Sequence, residues 1–264
     1  MSWHSRAHRF FGSKALVLGA LIALCGLVLV RSAISGAPRQ ASASAPAPEN
    51  PTTLLEGFRH VEVASVSDAI EQLTGRRMYM SHRMRPIFAT KFAGFAVTVL
   101  LKKETNNDPN ALNGMLTAID QGAKDSVYVM VVEDGADIAG MGGLMGTAMY
   151  SREYAGAVID GGVRDVAYLK KIGFPVYSLG IVPSTSIHHY RFAGANIPVT
   201  CDGVEVKVGD IVTADQDGIV VVPRGDAARV LELAQELDFK EHSMYAYIEK
   251  LKSIEEAVKK FGRL

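Results

Sequence analysis

The chain has 264 residues, which is enough for one domain with an appendage or for two small domains. Lys and Arg total 28, as do Asp and Glu, so the formal net charge is zero. This balance argues against binding of nucleic acid mainly through charge, which would show a basic excess. Only 2 Cys occur, far apart in the chain, and this excludes a disulfide scaffold and a cysteine-rich zinc site.

The first 35 residues have the pattern of a signal peptide or a membrane anchor. Residues 1–14 carry basic side chains and no acid, and residues 15–30 are uncharged. The uncharged run is slightly short for a spanning helix of about 20 residues. We therefore expect either a cleaved signal or an anchor over 15–35. If the basic end stays inside, both place the body outside the cytoplasm, as a periplasmic, extracellular or membrane-anchored protein.

A linker and one folded domain are predicted after this segment. Residues 36–53 are rich in Ala, Pro and Ser, a composition that cannot bury a core. The domain is expected over residues 54–264. Its length of roughly 210 residues is enough for a sizeable core.

Helices and strands alternate through most of the domain. The patterns predict helices over 67–73, 110–121, 142–154 and 165–172, and strands over 92–101, 126–132, 157–160 and 176–179. Four further strands are predicted over 198–201, 204–208, 210–214 and 218–222, with a hairpin turn at Asp202-Gly203. One long helix is predicted over 226–261. The fold class is therefore α/β, with a β-rich C-terminal section and a long C-terminal helix.

A glycine-rich segment over 140–146 is the first candidate site. It follows the buried strand at 126–132 and opens a helix. Glycines at a helix start expose backbone N–H groups, and the helix dipole favours an anion there. A turn needed only for tight packing would give the same pattern.

The second candidate site is the segment VIDGGVRD over 158–165. It follows a buried strand, at the sheet edge where α/β proteins bind ligands. Arg164 could hold a carboxylate with its planar guanidinium. Asp165 could ligate Mg²⁺, which typically takes one or two carboxylates and keeps several waters. A helix-capping Asp beside a solvated Arg is the structural alternative.

These two segments, followed by GFPVYSLGIVPS at 173–184 and IPVTCDGVEVKVGDIVTADQDGIVVVP at 197–223, resemble the RraA-like family. That family includes the regulator of ribonuclease E activity and the class II 4-hydroxy-4-methyl-2-oxoglutarate and 4-carboxy-4-hydroxy-2-oxoadipate aldolases. Residues 67–69 and 93–99 add to the resemblance. It implies an RraA-like α/β/α sandwich that forms a homotrimer or homohexamer, with active sites between subunits.

The resemblance to the aldolases also implies a reaction and a set of site residues. Asp165 would bind Mg²⁺ or Mn²⁺ and Arg164 would hold a small keto-acid substrate. Backbone amides of Gly142, Gly143, Leu144 and Met145 would hold the substrate carboxylate. The implied activity is a divalent-metal-dependent lyase that cleaves a 2-keto acid to pyruvate. Oxaloacetate decarboxylation is a natural second activity, because it passes through the same enolate.

One departure favours an alternative. The aldolases carry an acid, thought to position a water for proton transfer, at the position that aligns with Gly143. Its absence favours a non-catalytic RraA-like binding or regulatory protein. The presence of Asp165, which the ribonuclease regulator lacks, favours the lyase. An exported body would also never meet a cytoplasmic ribonuclease.

Three other sets of residues are weaker candidates. His189 or Arg191 could face substrate, and a neutral His could replace the missing acid; a surface or subunit-contact loop is the alternative. Asp215 and Asp217 could reach the water shell of a neighbouring subunit's metal, although turn formation is the commoner reason for such residues. The acids of segment 133–137 are expected to cap a turn rather than bind metal.

Overall fold

The computed structural model describes residues 50–262. The helices are α1 (Pro51–His60), α2 (Val63–Thr74), α3 (Asn113–Gln121), α4 (Gly143–Ser151), α5 (Val166–Ile172), α6 (Ala227–Leu251) and α7 (Ile254–Phe261). The strands are β1 (Arg85–Pro86), β2 (Phe92–Lys103), β3 (Ser126–Val132), β4 (Ala139–Met141), β5 (Gly156–Val163), β6 (Val176–Ile181), β7 (Tyr190–Ala195), β8 (Val199–Cys201), β9 (Val204–Val206), β10 (Ile211–Asp215) and β11 (Gly218–Val222). The predicted signal peptide or anchor over 1–35 lies outside the described residues. Within the described range, no helix is both long enough and apolar enough to span a bilayer.

Every helix and strand predicted from residue 67 to residue 222 is confirmed at its place in the chain, with small shifts at the ends. The long C-terminal helix is confirmed by α6, which has 25 residues. The prediction that it continues unbroken to residue 261 is wrong. Lys252 adopts a left-handed conformation (φ 56°), and the Ser253 side chain then caps α7 by accepting the Glu256 N–H.

The first helix was not predicted. α1 begins at Pro51, where the Asn50 side chain accepts the Thr52 N–H. Pro at the first helical position after an Asn cap is a favoured helix start. α1 therefore begins three residues before the predicted domain boundary at residue 54.

One sheet organises the fold. Four parallel strands lie in the order β6-β5-β3-β2, and β10 and β11 extend the sheet antiparallel beyond β2. β7 pairs with the C-terminal half of β2, and β4 pairs with the end of β5. Nearly all of β3 is buried, which explains its continuous apolar sequence, as expected for a strand covered on both faces.

The two faces of the sheet are covered by different kinds of element. Side chains of Tyr128 and Met130 in β3 pack with residues of α3, α4 and α5. The alternate side chains, Val127 and Val129, pack with the β8–β9 hairpin. Helices α1, α2 and α6 pack over β10 and β11 through Ile211, Val220 and Val222. The α/β class is confirmed. At the middle of the sheet, the face that carries Val127 and Val129, here called the inner face, is covered by the β8–β9 hairpin rather than by a helix.

Candidate active site

The two segments singled out in the sequence meet at one edge of the sheet. β4 and β5 are parallel neighbours, with Met141 in register with Val163. The Arg164 N–H donates to the Met141 carbonyl at 3.0 Å. The start of α4 and the Arg164–Asp165 pair therefore lie together at the carboxyl ends of adjacent strands, where ligands of α/β sheets bind.

Asp165 lies at the start of α5 but caps a different helix, α4. It begins α5 in a left-handed conformation (φ 59°), and its Oδ2 accepts the Gly143 N–H at 2.8 Å. α4 has only Gly142 at its own cap position, so this carboxylate replaces a local cap at the positive end of the helix dipole. The Asp165 side chain is 51% exposed, and no described residue hydrogen-bonds to its Oδ1.

Arg164 is oriented by a loop that is tied to β4. Its Nη1 donates to the Ser184 carbonyl at 3.0 Å, and its Nε lies 3.9 Å from Asp165 Oδ2. The Ser184 hydroxyl accepts the Ala139 N–H at 2.9 Å and donates to the Asp137 carbonyl at 3.0 Å. These bonds fix one edge of the guanidinium and leave Nη2 for a ligand.

The first turn of α4 offers backbone donors beside Arg164. The first helical bond runs from the Gly146 N–H to the Gly142 carbonyl, so the N–H groups of Leu144 and Met145 have no partner within the helix. The Gly143 N–H is already bonded to Asp165. Of the four amides predicted to hold a carboxylate, the Gly143 amide is therefore occupied.

Glycine at 142 lets the Asp165 carboxylate and the Arg164 side chain lie close to the backbone at the start of α4. A Cβ at this position would lie 2.7 Å from Asp165 Oδ2 and 3.1 Å from Arg164 Cγ. At Gly143 the nearest atom to such a Cβ would be Tyr168 Cδ1 at 3.3 Å. A side chain at 142 would therefore displace the Asp165 carboxylate, whereas one at 143 would mainly push against a ring.

These groups form one end of a cleft of about 340 Å³. The cleft is lined by every site residue predicted from the sequence: Gly142, Gly143, Leu144, Met145, Arg164 and Asp165. Its other lining residues come from 108–116, around the start of α3, and from 187–188. The structure therefore brings the whole predicted set together within one chain.

The donor set fits a hard divalent cation. Asp165 provides one carboxylate oxygen without a protein partner, and the part of the chain described here contains no cluster of three or more His, Cys, Asp or Glu suited to a metal. Mg²⁺ commonly binds through one or two carboxylates and completes its shell with water and substrate oxygens. A zinc site would need three or four protein ligands.

In the segment after β6, neither residue predicted to face substrate, His189 or Arg191, lines the cleft. His189 does not line the cleft, whereas His188 does, in a left-handed conformation (φ 67°) and with Nδ1 3.1 Å from the Asn106 carbonyl. Arg191 is held by Glu104 at 2.8 Å and by Asp108 at 3.2 Å. The geometry therefore favours His188, rather than His189 or Arg191, as the residue of this loop that could face a substrate. The sequence carried no signal that distinguished His188.

Two of the remaining candidates, Asp215 and Glu133, have structural partners for their carboxylates. Asp215 is buried; its Oδ2 accepts the Val63 N–H at 2.9 Å and its Oδ1 accepts the Asp217 N–H at 3.0 Å. Glu133 is paired with Lys102 at 2.5 Å, and this hydrogen bond holds the pKa of the Glu133 carboxyl below its usual value. Asp215, Asp217 and Glu133 all lie outside the cleft lining. Asp215 therefore stabilises the turn that follows it, whereas Glu133 is bound to the end of β2 and not to a turn.

An α/β sheet with a cleft at its strand ends defines a broad class of proteins, and comparison with known proteins narrows that class. A family model described as RraA-like, Aldolase/RraA, matches residues 63–221. The chain belongs to the RraA-like family, as the sequence resemblance predicted.

Individual relatives are more distant. A protein of Halalkalibacterium halodurans named "Putative 4-hydroxy-4-methyl-2-oxoglutarate aldolase" is 26% identical over 179 residues, which is 67% of this chain and 80% of that protein. A solved structure of an uncharacterized protein from Pseudomonas syringae pv. tomato is 25% identical, with a TM-score of 0.70 over 79% of this chain and 99% of that one. Streptomyces coelicolor RraAS2, described as an unusual member of the RNase ES inhibitor RraA protein family, shares the fold at 22% identity, with a TM-score of 0.66 over 78% of this chain and 100% of that one.

Proposed function

We propose that this protein is a divalent-metal-dependent lyase that cleaves a small 2-keto acid and releases pyruvate, as a 4-hydroxy-4-methyl-2-oxoglutarate or 4-carboxy-4-hydroxy-2-oxoadipate aldolase does. The observation that carries the proposal is the half-exposed Asp165 carboxylate, with one unpartnered oxygen, beside Arg164 and the first turn of α4. The relative named as an aldolase supports it, because the match covers most of that protein.

The residues of the cleft have distinct tasks in this proposal. Arg164 and the N–H groups of Leu144 and Met145 bind the keto-acid carboxylate, with Arg164 held in place by Ser184. Asp165 would hold Mg²⁺ or Mn²⁺ through Oδ1, while the Gly143 N–H fixes Oδ2. A cation bound there would stabilise negative charge on the keto oxygen as a Lewis acid.

The bond changes need one proton acceptor and one proton donor. The 4-hydroxyl loses its proton, the C3–C4 bond breaks, and its electron pair moves to C3, which then takes a proton to give pyruvate. With oxaloacetate, carbon dioxide leaves C3 instead. His188 lines the cleft, and its Nδ1 is engaged with the Asn106 carbonyl, so Nε2 is the atom available to carry the proton.

A non-catalytic binding protein is the second candidate, and Gly143 favours it. A Cβ there would lie 3.3 Å from Tyr168 Cδ1 and 3.4 Å from Asp165 Cβ. The first atom of a side chain would therefore fit with a small shift of Tyr168, and what the site lacks at 143 is the acid itself. Carboxylate and metal binding would survive this change, because neither uses a side chain at 143.

Assembly and export are part of the proposal. We expect a homotrimer or homohexamer, as the family resemblance implies, and Leu144 (90% exposed) and Ile181 (61% exposed) offer apolar surface beside Arg164 and Asp165 for a contact between subunits. Export or anchoring outside the cytoplasm rests on the sequence of residues 1–35 alone. Light scattering after gel filtration in detergent would measure the assembly, and cell fractionation would locate the chain.

The decisive experiment measures pyruvate. The full chain, purified in detergent, is incubated with Mg²⁺ and with oxaloacetate, 4-hydroxy-4-methyl-2-oxoglutarate or 4-carboxy-4-hydroxy-2-oxoadipate, and pyruvate is followed with lactate dehydrogenase. We expect release that EDTA abolishes and added Mg²⁺ restores. A folded oligomer that binds these acids but releases no pyruvate would establish the binding protein instead.

A further inference from the structure

The loop over 183–185, after β6, carries the carbonyl that holds Arg164. The Arg164 Nη1 donates to the Ser184 carbonyl at 3.0 Å, so the position of this carbonyl sets the position of the guanidinium. The bond leaves Nε and Nη2, the two nitrogens of the side edge, for a ligand, and Nε lies 3.9 Å from Asp165 Oδ2. A carboxylate bound to that edge would therefore lie close to Asp165.

The Ser184 hydroxyl fixes this loop to another part of the chain. It accepts the Ala139 N–H at 2.9 Å and donates to the Asp137 carbonyl at 3.0 Å, so it bonds both to the start of β4 and to the turn before β4. Among the residues that the structure describes, no other group of 183–185 is hydrogen-bonded to a distant segment, apart from the carbonyl that holds Arg164. The orientation of Arg164 therefore depends on one hydroxyl group.

We propose that Ser184 is a positioning residue, whose hydroxyl sets the affinity of the cleft for the keto-acid carboxylate by holding Arg164. This inference rests on the proposed function, because it assumes that the carboxylate binds at Arg164. Ser184 does not itself line the cleft. An arginine that is already fixed loses less conformational entropy when a ligand binds. Without the hydroxyl, binding would have to order both the loop and the guanidinium.

Binding of pyruvate measures this effect. Pyruvate has the keto-acid carboxylate but no fourth carbon, so it cannot be cleaved, and its affinity can be measured whether or not the chain is a lyase. The full chain in detergent, with saturating Mg²⁺, is titrated and the pyruvate methyl signal is followed by NMR. We expect Ser184→Ala to weaken pyruvate binding by about threefold to tenfold, the cost of ordering a long side chain and its loop.

Conservative variants test the hydroxyl itself. Ser184→Thr keeps a hydroxyl and should bind pyruvate within about twofold of the parent. Ser184→Cys has nearly the same shape as the parent but is a weak hydrogen-bonding group, so it replaces the Ala variant if that variant does not fold. A loss in Ser184→Thr as large as that in Ser184→Ala would contradict the role given to the hydroxyl.

Thr185 provides a matched control in the same loop. Its hydroxyl accepts the Ile187 N–H at 3.2 Å and has no bond to Arg164 or to β4. Thr185→Ala removes a neighbouring hydroxyl, and we expect pyruvate affinity within about twofold of the parent. Equal losses in Thr185→Ala and Ser184→Ala would show that any loosening of the loop has the same effect, and would overturn the inference.

A double-mutant cycle shows whether Ser184 acts through Arg164. Arg164→Ala should weaken pyruvate binding by about tenfold to 10²-fold, because a charged hydrogen-bonding partner is lost. Ser184→Ala should then have no further effect in the Arg164→Ala background, since the two residues act as one unit. A purely structural role would weaken binding by the same factor in both backgrounds, and that result would overturn the inference.

The outcomes separate this inference from the proposed function. A loss in Ser184→Ala that depends on Arg164, without pyruvate release from any cleavable keto acid, would support the inference and rule out the lyase. In an active lyase the loss should appear in KM rather than in kcat, because the carboxylate stays bound from substrate to transition state. An unchanged KM would overturn the inference and leave the lyase standing. No effect of Arg164→Ala, or no binding of pyruvate to the parent, would overturn the inference together with the placement of the carboxylate.

Discussion

Two helices, α2 and α4, are capped in the same way, by an aspartate from elsewhere in the chain. They differ in whether that aspartate keeps an oxygen free to bind a ligand. Neither has a side-chain cap of its own, because Glu62 and Gly142 occupy the cap positions without capping. In each case an aspartate from elsewhere in the chain accepts the first N–H. Asp215 accepts the N–H of Val63, and Asp165 accepts that of Gly143.

The difference lies in the second oxygen of each carboxylate. Both oxygens of Asp215 accept backbone N–H groups, and the residue is buried. Asp165 uses one oxygen for the helix, leaves the other without a described partner, and is half exposed in a cleft. A remote helix cap is therefore purely structural at one site, whereas at the other it pre-orients a carboxylate that can still bind a ligand.

The largest effect that follows from this comparison is on activity at Asp165. Asp165→Asn should lower metal-dependent pyruvate release on the order of 10²–10³-fold, because several kcal/mol of charge stabilisation is lost with the carboxylate. Stability should change by less than about 1 kcal/mol, since the amide oxygen still accepts the Gly143 N–H. Kinetics across a Mg²⁺ titration and urea unfolding measure the two quantities. Full activity in this variant would show that Asp165 does not bind the metal.

The glycines beside Asp165 sharpen the comparison. In Gly142→Ala the new Cβ would lie 2.7 Å from Asp165 Oδ2, so the carboxylate must move, and a displacement of this size should lower kcat/KM by about 10–10²-fold. Gly143→Ala is the matched control. Its nearest contact is the Tyr168 ring at 3.3 Å, and we expect activity within about threefold of the parent. Equal losses in both variants would contradict the role given to Gly142.

Asp215 should show the opposite behaviour. Asp215→Ala leaves the buried N–H of Val63 without an acceptor and also removes the bond to the Asp217 N–H in the exposed turn, so the free energy of unfolding should fall by about 2 kcal/mol. Activity per folded molecule should be unchanged. Asp215→Asn, which keeps one acceptor, serves if the Ala variant does not fold. A loss of activity at full stability would instead support the alternative in which Asp215 reaches a neighbouring subunit's metal shell.

The features that could be predicted from the sequence are local ones. The buried run over 126–132 was recognisable as a strand because every residue is apolar or small. The turn at Asp202-Gly203 needs two residues with positive φ, and Asp-Gly is a favoured pair for that geometry. The break before α7 was missed in the prediction of one helix over 226–261, although its signal is also local: Ser253 is followed three residues later by Glu256, the pattern of a capping box.

What escaped prediction depends on pairings between distant residues. β7 owes its existence to pairing with the end of β2, 80 or more residues earlier in the chain, and β4 is three residues long. The residues of the candidate site were recognisable through a family resemblance. The bond between Asp165 and Gly143, 22 residues apart, depends on the register of β4 against β5, which no local pattern specifies.

The smallest effect concerns Asp160, which lies five residues before Asp165 and on the inner face. Its Oδ2 accepts the Asp202 N–H of the hairpin at 2.6 Å. Burial raises the pKa of Asp160 above its usual value, with the Asp202 N–H acting in the opposite direction. The folded state therefore binds this proton more tightly than the unfolded state. Its contribution to stability increases as the pH falls through the folded pKa toward the unfolded value of about 3.9.

Asp160→Asn should remove this dependence. The amide still accepts the Asp202 N–H but carries no buried charge, so the variant should be more stable at pH 7 by a few tenths of a kcal/mol, a small gain because solvent screens the site. The difference in stability between the variant and the parent should disappear toward pH 4.

Asp202 provides a control of opposite sign. Burial acts to raise the pKa of Asp202, but hydrogen bonds from Ser81 and Arg83 outweigh burial and lower it. Asp202→Asn should therefore lose stability at pH 7 and recover relative to the parent as the pH falls. Urea unfolding at pH 7, 5 and 4 measures both variants, and parallel pH profiles for the two would show that neither carboxylate couples the hairpin to the sheet through its charge.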